Sequence, residues 1–283
     1  MKKVLLFLTL IVFCSFSSSS RAGETPQRII SLAPNMTEIL FALGLGNTIV
    51  GVTSFCDFPD EAKRKPKVGG MSNPSLEAVI SLKPDVVVMT IDGNPREFEE
   101  RLRSLGINTY VFRARRLWEL PQGIRDLGKE LGVQERAETF AREFEAALKR
   151  VGAGERAIDT HKPPLREKAL FIVWPEPLIA AGPGTVIDDA LTLIGLDNIA
   201  SKSLVSYPKY SIEEIIRRAP EVIIIGRGME REGIEKISAG LLKRLHAVPA
   251  VRNKRVFYVS DDLYRLGPRT IRGIEEISRL VDR

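Results

Sequence analysis

The chain has 283 residues, of which 44% are hydrophobic and 28% are charged. This composition excludes a disordered chain and provides enough apolar residues for two modest cores. The formal net charge is +6, and it falls to +3 without Lys2, Lys3 and Arg21 of the first 22 residues, which contain no acidic residue. Such a mild surplus does not indicate nucleic-acid binding.

Residues 1–22 have the pattern of a secretory signal peptide. Lys2 and Lys3 precede the apolar stretch Val4–Phe13, and Ser20-Arg21-Ala22 is a small-x-small cleavage site. An apolar run of about ten residues is well short of the roughly 20 that span a bilayer. We therefore expect an exported protein whose mature chain works in the periplasm.

The two cysteines bear on anchoring and on disulfide formation. Cys14 lies within the signal segment, but bulky Phe13 stands before it where a lipoprotein signal needs a small residue. A lipid anchor at Cys14 is therefore the second hypothesis, and cleavage of the signal peptide before Gly23 is the first. Only Cys56 remains in the mature chain, so we expect no intramolecular disulfide.

Apolar runs alternate with helical patterns through both halves of the mature chain, as expected for parallel sheets. Helices are predicted after Ala33, Ser75 and Pro95, and then after Thr185, after Ser211 and from Thr270, with Gly44 ending the first. The predicted strands are Arg28–Leu32, Ile49–Thr53, Asp85–Thr90 and Thr109–Phe112, followed by Ala169–Val173, Val222–Ile225 and Val256–Val259.

An internal repeat relates the two halves. The segment that begins at Ser75 recurs from Ser211, with serine, glutamate and proline at identical spacing. Between the halves, apolar residues recur at helical spacing inside a charged stretch, which predicts about five turns of amphipathic helix. These residues are Ala137, Phe140, Phe144, Leu148 and Val151, and Pro163-Pro164 ends the connection.

The sequence thus predicts an α/β protein with two small parallel-sheet lobes joined by a long rigid helix. Its divisions are the signal peptide at 1–22, an N-terminal lobe at 23–133, the interlobe helix and linker at 134–165, and a C-terminal lobe at 166–283.

Catalytic signatures are absent: the sequence has no G-x-S-x-G elbow, no P-loop, no G-x-G-x-x-G and no H-E-x-x-H. His161 and His246 have no partner at metal-ligand spacing and are expected at the surface. An exported hydrolase would need a nucleophile and base pair, so we expect a protein that is not an enzyme. We expect no metal site and no resident cofactor.

The two repeated helix starts have a structural explanation and a functional one. Ser75 and Ser211 are expected N-caps, and Ser211 with Glu214 has capping-box spacing. Glu77 and Glu213 are expected to project outward near the helix start. Interaction with the helix dipole, about 0.3–1 kcal/mol, explains them without any partner. Matched exposed carboxylates would also make a two-point docking surface.

Five segments resemble the vitamin B12 receptors of bacterial ABC importers. They are Arg28 to Glu38, Gly51 to Asp57, the two Ser-x-Glu helices, and Ser260-Asp261 to Arg269. The resemblance implies the helical-backbone (class III) family of periplasmic binding proteins, which also includes ferric-siderophore and haem receptors. It further implies that Glu77 and Glu213 dock on the two subunits of an ABC permease dimer.

Ligands of parallel sheets bind where loops leave the carboxyl ends of the strands. Aromatic and polar residues after the strands are therefore candidates: Phe55, Asp57, Phe58, Met71, Trp174, Tyr207, Asp261, Asp262, Tyr264 and Arg265. The resemblance supports Phe55, Tyr207 and the loop Asp261 to Arg265. This sequence differs from the B12 receptors at Met71 and near Thr90, where those receptors have tryptophan. Each aromatic residue also has a structural alternative: Phe55 and Phe58 could be core residues, and Trp174 could cover the end of a sheet.

We expect a monomeric solute-binding protein that carries cobalamin or a related corrinoid as transported ligand. A ferric-siderophore or haem receptor of the same class is the alternative, because Arg113, Arg115 and Arg116 follow a strand and would suit an anionic ligand. Such an arginine run is more often a solvated face.

Overall fold

The structure is a computed structural model that describes residues 25–152, 167–228 and 233–282. The predicted signal peptide, Cys14, His161 and Pro163-Pro164 lie outside these residues. The divisions between lobes and linker stay predictions.

The first sheet has four parallel strands in the order β2-β1-β3-β4. Its strands are β1 (Ile29–Ser31), β2 (Ile49–Val52), β3 (Val86–Thr90) and β4 (Asn108–Phe112). Each lies within one residue of its predicted position at either end, because an unbroken apolar run is typical of a strand buried on both faces.

The helices of the first half flank this sheet. They are α1 (Pro34–Ala42), α2 (Asp60–Lys63), α3 (Leu76–Ser81), α4 (Arg96–Ser104) and α5 (Leu120–Glu130). α1 ends as predicted, since Gly44 follows its C-cap with φ of +70°. α2 and α5 were not predicted from the sequence.

The second sheet has the order β6-β5-β8-β9, with β7 pairing the start of β5. Its strands are β5 (Lys168–Pro175), β6 (Leu178–Ala180), β7 (Asp197–Asn198), β8 (Val222–Gly226) and β9 (Val256–Val259). All pairs are parallel except β5 with β6, which is antiparallel and was not predicted. The α/β class with two parallel-sheet lobes is confirmed.

The helices after the first half begin with α6 (Gln134–Gly152), whose 19 residues match the predicted five turns. It packs on α5 of the first half and on α11 of the second. The others are α7 (Val186–Leu193), α8 (Ile212–Arg218), α9 (Ile234–Arg244), α10 (Pro249–Arg252) and α11 (Thr270–Val281).

Alternation along the strands places every second side chain on one face of its sheet. Ile29 of β1 and Phe171 of β5 belong to one large apolar cluster, which also takes residues from α5, α6, α7 and α11. Ile30 and Leu170 are adjacent in sequence to Ile29 and Phe171 and lie on the opposite faces of the two sheets. They belong to two separate smaller clusters. The two lobes thus share a continuous core, where composition had indicated two cores.

The repeated helices α3 and α8 lie on the outer faces of the two sheets. Val79 of α3 packs in the cluster around Ile30, and Ile215 of α8 packs in the cluster around Leu170. Both serine caps form, because Ser75 Oγ accepts the N–H of Ala78 at 3.2 Å and Ser211 Oγ accepts that of Glu214 at 3.1 Å.

The predicted capping box at Ser211 is only half formed. The Glu214 carboxylate does not return to the backbone of Ser211 but accepts from Arg217 and Arg218 on the next turn. Hydrogen bonds from the two charged guanidinium groups are stronger than the one that the neutral backbone N–H of Ser211 would donate in a capping box.

None of the helices within the described ranges combines the length and apolarity needed to cross a bilayer.

Candidate functional site: the junction between the lobes

A buried carboxylate from the first lobe lies at the centre of the junction. Glu38 projects from α1, where it is 2% exposed among apolar neighbours. Arg269 of the second lobe donates to both of its oxygens, at 2.9 and 2.7 Å, and Arg265 donates at 3.2 Å. Two guanidinium groups from one lobe therefore enclose a carboxylate from the other.

The second lobe supplies a further buried carboxylate to this cluster. Asp262, in the 3₁₀ turn Asp261–Tyr264 after β9, accepts from Arg269 at 2.8 Å and from Arg272 at 3.0 Å. Burial alone would raise the pKa of Asp262, but the hydrogen bond and charge of Arg272, with the charge of Arg269, lower it overall. Asp261 lies 3.6 Å from Arg269. Asp262 is thus committed to ion pairs that fix the loop.

Two predicted ligand residues from different lobes meet here. The Asp57 carboxylate accepts from Arg265 at 2.6 Å, and the Asp57 side chain remains 52% exposed. Partial burial raises the pKa of Asp57, yet the hydrogen bond and charge of Arg265 outweigh this and lower it. The ring of Phe58 packs 4.8 Å from the guanidinium of Arg269. Phe58 is therefore part of the junction and not of the apolar core.

Of the arginines after β4, Arg113 and Arg115 are exposed, whereas Arg116 is not part of a solvated face. Arg116 reaches the second lobe, where its Nε lies 2.8 Å from both oxygens of Asp189, a residue 3% exposed in α7. The backbone N–H of Leu117 donates to the same carboxylate at 3.1 Å. Arg115 pairs with Asp92 at 2.6 Å. The solvated-face interpretation was wrong for Arg116, because its partner is far away in sequence.

Phe55 and Met71 lie together on the first-lobe side of the junction. Phe55 is 46% exposed and lies beside Gly70, and the Met71 side chain covers Gly93 in the loop after β3. Asn94 holds this wall by donating to the carbonyls of Met71 at 2.8 Å and Leu32 at 2.9 Å.

Tyr207 and Tyr264 lie on the second-lobe side. Burial raises the pKa of Tyr207, and the negative charge of Asp92 on the first lobe raises it further. The Tyr207 side chain is nevertheless 56% exposed, so it is free to contact a ligand. Burial, followed by Tyr207 and Asp261, raises the pKa of Tyr264.

Trp174 and Tyr264 are anchored by the protein itself. The indole N–H of Trp174 donates to Glu176 O at 2.7 Å, and its ring packs in the outer cluster of the second sheet. The Tyr264 hydroxyl donates to Val173 O at 3.1 Å and covers Gly226, where any side chain would collide with the ring. Their contribution to ligand binding stays a prediction.

A cavity of about 510 Å³ opens beside the carboxylate cluster, within the range of small-molecule sites. Asp261 and Asp262 line it, whereas Phe55, Met71 and Tyr207 do not. Its lining is Phe58, Arg227, Ser260, Asp261, Asp262, Arg269, Arg272, Glu276 and Arg279.

Other predicted residues lie away from the junction. Glu77 and Glu213 are exposed in the first turns of α3 and α8, as expected. Backbone N–H donation followed by the Ser211 hydroxyl lowers the pKa of Glu213. His246 is exposed, and Cys56 is buried with its thiol 3.1 Å from the hydroxyls of Thr37 and Thr53. Within the described ranges, no group of three ligand-type side chains is placed to hold a metal ion.

Sequence reasoning missed the roles of Glu38, Arg269, Arg116 and Asp189. One signal was available for Glu38, because it is the lone carboxylate in the largely apolar stretch from Met36 to Leu43. A buried charge of this kind requires a cationic partner.

The family model for periplasmic binding proteins matches residues 29–263. The chain belongs to the periplasmic binding protein family. The resemblance inferred from the motifs is therefore confirmed, and the fold of the two lobes agrees with it.

Individual relatives align over nearly the whole length of this family member. The vitamin B12-binding protein of Pectobacterium atrosepticum is 31% identical over 278 residues, which cover 97% of this chain and 94% of the relative. The crystal structure of the periplasmic vitamin B12 binding protein of Vibrio cholerae is 27% identical, with a TM-score of 0.78 and coverage of 91% and 97%.

A solved haem-binding protein of Roseiflexus matches equally well. It is 30% identical, with a TM-score of 0.78, and the alignment covers 92% of this chain and 98% of that one. Overall fold similarity therefore does not separate the ligand classes, and the side chains of this periplasmic binding protein must do so.

Replacing Glu38 by Gln tests the junction. Glu38→Gln should lower the free energy of unfolding by about 3 kcal/mol, because it removes the buried carboxylate and leaves guanidinium groups incompletely paired. Asp57→Asn is the matched control, since it removes an exposed partner of the same Arg265 and should cost less than about 1 kcal/mol. Urea denaturation measures the free energy of unfolding of both variants. Equal decreases would contradict the conclusion that Glu38 is the main ion-pair partner across the junction.

Proposed function

We propose that this chain is the extracytoplasmic solute-binding component of an ABC importer and that it carries cobalamin or a related corrinoid. The ligand would lie between the lobes, against Phe55 and Met71 on one side and Tyr207 on the other. No bond is made or broken, and the corrinoid is cargo with no resident cofactor.

The observation that carries the ligand proposal is the neutralisation of Arg265, Arg269 and Arg115 by carboxylates. Arg265 is paired with Asp57 and Glu38, Arg269 with Glu38 and Asp262, and Arg115 with Asp92. Such a site favours a large ligand with neutral amide groups over an anionic chelate, which needs cations that are not already matched. Full-length similarity to vitamin B12-binding proteins supports the same ligand class.

The partly exposed Asp57–Arg265 pair supplies both hydrogen-bonding roles that amides require. The carboxylate accepts from an amide N–H, and the guanidinium donates to an amide carbonyl. Phe55 and Tyr207 provide flat apolar surface for the macrocycle.

Haem is the second candidate, supported by the similarity to the Roseiflexus protein. Haem iron needs an axial ligand, and Tyr207 or Met71 would supply it. Haem propionates would also need to compete with Asp57 or Glu38 for the arginines, which counts against haem.

Ligand titration tests the proposal. Purified mature protein should bind cyanocobalamin saturably in calorimetry and bind hemin and ferric siderophores more weakly. Tyr207→Ala should reduce the affinity about tenfold by removing stacking area, whereas Tyr207→Phe retains the ring and should bind within about twofold of the parent. Tight hemin binding with a Soret shift, together with no binding of cyanocobalamin, would contradict the corrinoid proposal and identify haem as the ligand.

Docking through Glu77 and Glu213 extends the proposal. Each glutamate is exposed, one on each lobe, and an acidic pair of this kind fits basic residues on the two subunits of a permease dimer. Glu77→Gln with Glu213→Gln should reduce uptake at least tenfold with unchanged ligand affinity. Glu97→Gln, an exposed glutamate in the first turn of α4, is the matched control. Uptake unaffected by the double change would contradict docking at these residues.

Export through a cleaved signal peptide completes the proposal. Intact mass of the protein recovered from the cell envelope should correspond to a chain starting at Gly23. A lipid-modified mass starting at Cys14 would instead establish the anchored form.

A further inference from the structure

The outer helices α3 and α8 each expose an isoleucine beside the glutamate proposed for docking. Ile80 is 42% exposed and Ile216 is 44% exposed. Each follows its glutamate by three residues, so the acidic and apolar side chains share one face of the helix. The repeat therefore extends beyond serine, glutamate and proline to an exposed apolar position.

Core packing does not account for these isoleucines. Val79 and Ile215, one residue earlier, are fully buried and attach the helices to their sheets. Among the exposed helical positions, glutamate and isoleucine match between the two copies, whereas Ser81 and Arg217 do not. The matching features are thus confined to one acidic and one apolar group per helix.

The backbones around both helices are equivalent in detail. Both helices are followed by a residue in the left-handed region, Lys83 with φ of 46° and Ala219 with φ of 49°. Asp85 and Glu221, two residues on, each accept a backbone N–H from the first residues of the neighbouring strand segment, at 2.9 and 3.0 Å. The two acidic-apolar faces are therefore held in the same local geometry.

We propose that Ile80 and Ile216 are matched apolar contacts that seat this protein on the two subunits of the permease dimer. Each permease subunit would present the same surface, a cation for the glutamate beside a shallow apolar depression for the isoleucine. This inference rests on the proposed docking function and adds its apolar component. Two copies of one surface on this chain fit a two-fold partner, because each half then meets an identical counterpart.

Binding to the cognate permease, reconstituted in lipid nanodiscs, tests the inference by biolayer interferometry. Threonine is a suitable replacement, since it keeps β-branching and similar helix propensity while removing apolar surface. Ile80→Thr and Ile216→Thr should each weaken docking about fivefold, and the double variant by about the product of the two. Leu105→Thr is the control, because Leu105 is 53% exposed at the end of α4.

Unchanged thermal unfolding and unchanged cyanocobalamin affinity establish that the threonine variants are intact. If the Glu77 and Glu213 variants weaken docking while the isoleucine variants bind like Leu105→Thr, the inference is overturned and the docking function stands. If neither set weakens docking, both fall. If the isoleucine variants instead abolish a dimer of this chain seen by light scattering, the occupant is a second copy and the inference is overturned.

Discussion

The Glu38 carboxylate can be buried only because Arg265 and Arg269 reach it from the other lobe. An unpaired carboxylate buried at this position would be strongly disfavoured. The charge of Glu38 in α1 is therefore compensated only when the second lobe is in place. Arg116 and Asp189 repeat the arrangement with the charges exchanged between lobes. Together with the continuous apolar cluster, these pairs oppose separation of the lobes. Release of a ligand by pulling the lobes apart therefore requires breaking buried ion pairs, which a permease would have to compensate.

The same pairs determine what the junction offers to a ligand. Each guanidinium that braces the lobes is neutralised by doing so, and the Asp57 carboxylate of the Asp57–Arg265 pair remains partly solvated. Phe55, Met71 and Tyr207, the proposed walls of the site, would give area without charge. A bulky neutral ligand with amide groups fits this combination of surfaces better than a multiply charged one.

Local features of the fold were predictable from sequence because they depend on local chemistry. Apolar runs fixed the strands, Ser75 and Ser211 marked helix starts, and Gly44 marked a helix end. β6 was missed, since Leu178–Ala180 is too short to show a period, and its antiparallel pairing depends on a tight return from β5. The site was less predictable: Glu38 and Arg265 lie 227 residues apart, and no pattern in one segment reveals a partner in another.

A crystal structure of the mature protein with cyanocobalamin tests the central claim most directly. We expect the corrin to lie between the Phe55–Met71 wall and Tyr207, with its amide groups on Asp57 and Arg265 and with the hydrogen bonds from Arg265 and Arg269 to Glu38 retained. A corrin seated elsewhere, or a loaded protein in which the Glu38 pairs are broken, would contradict it.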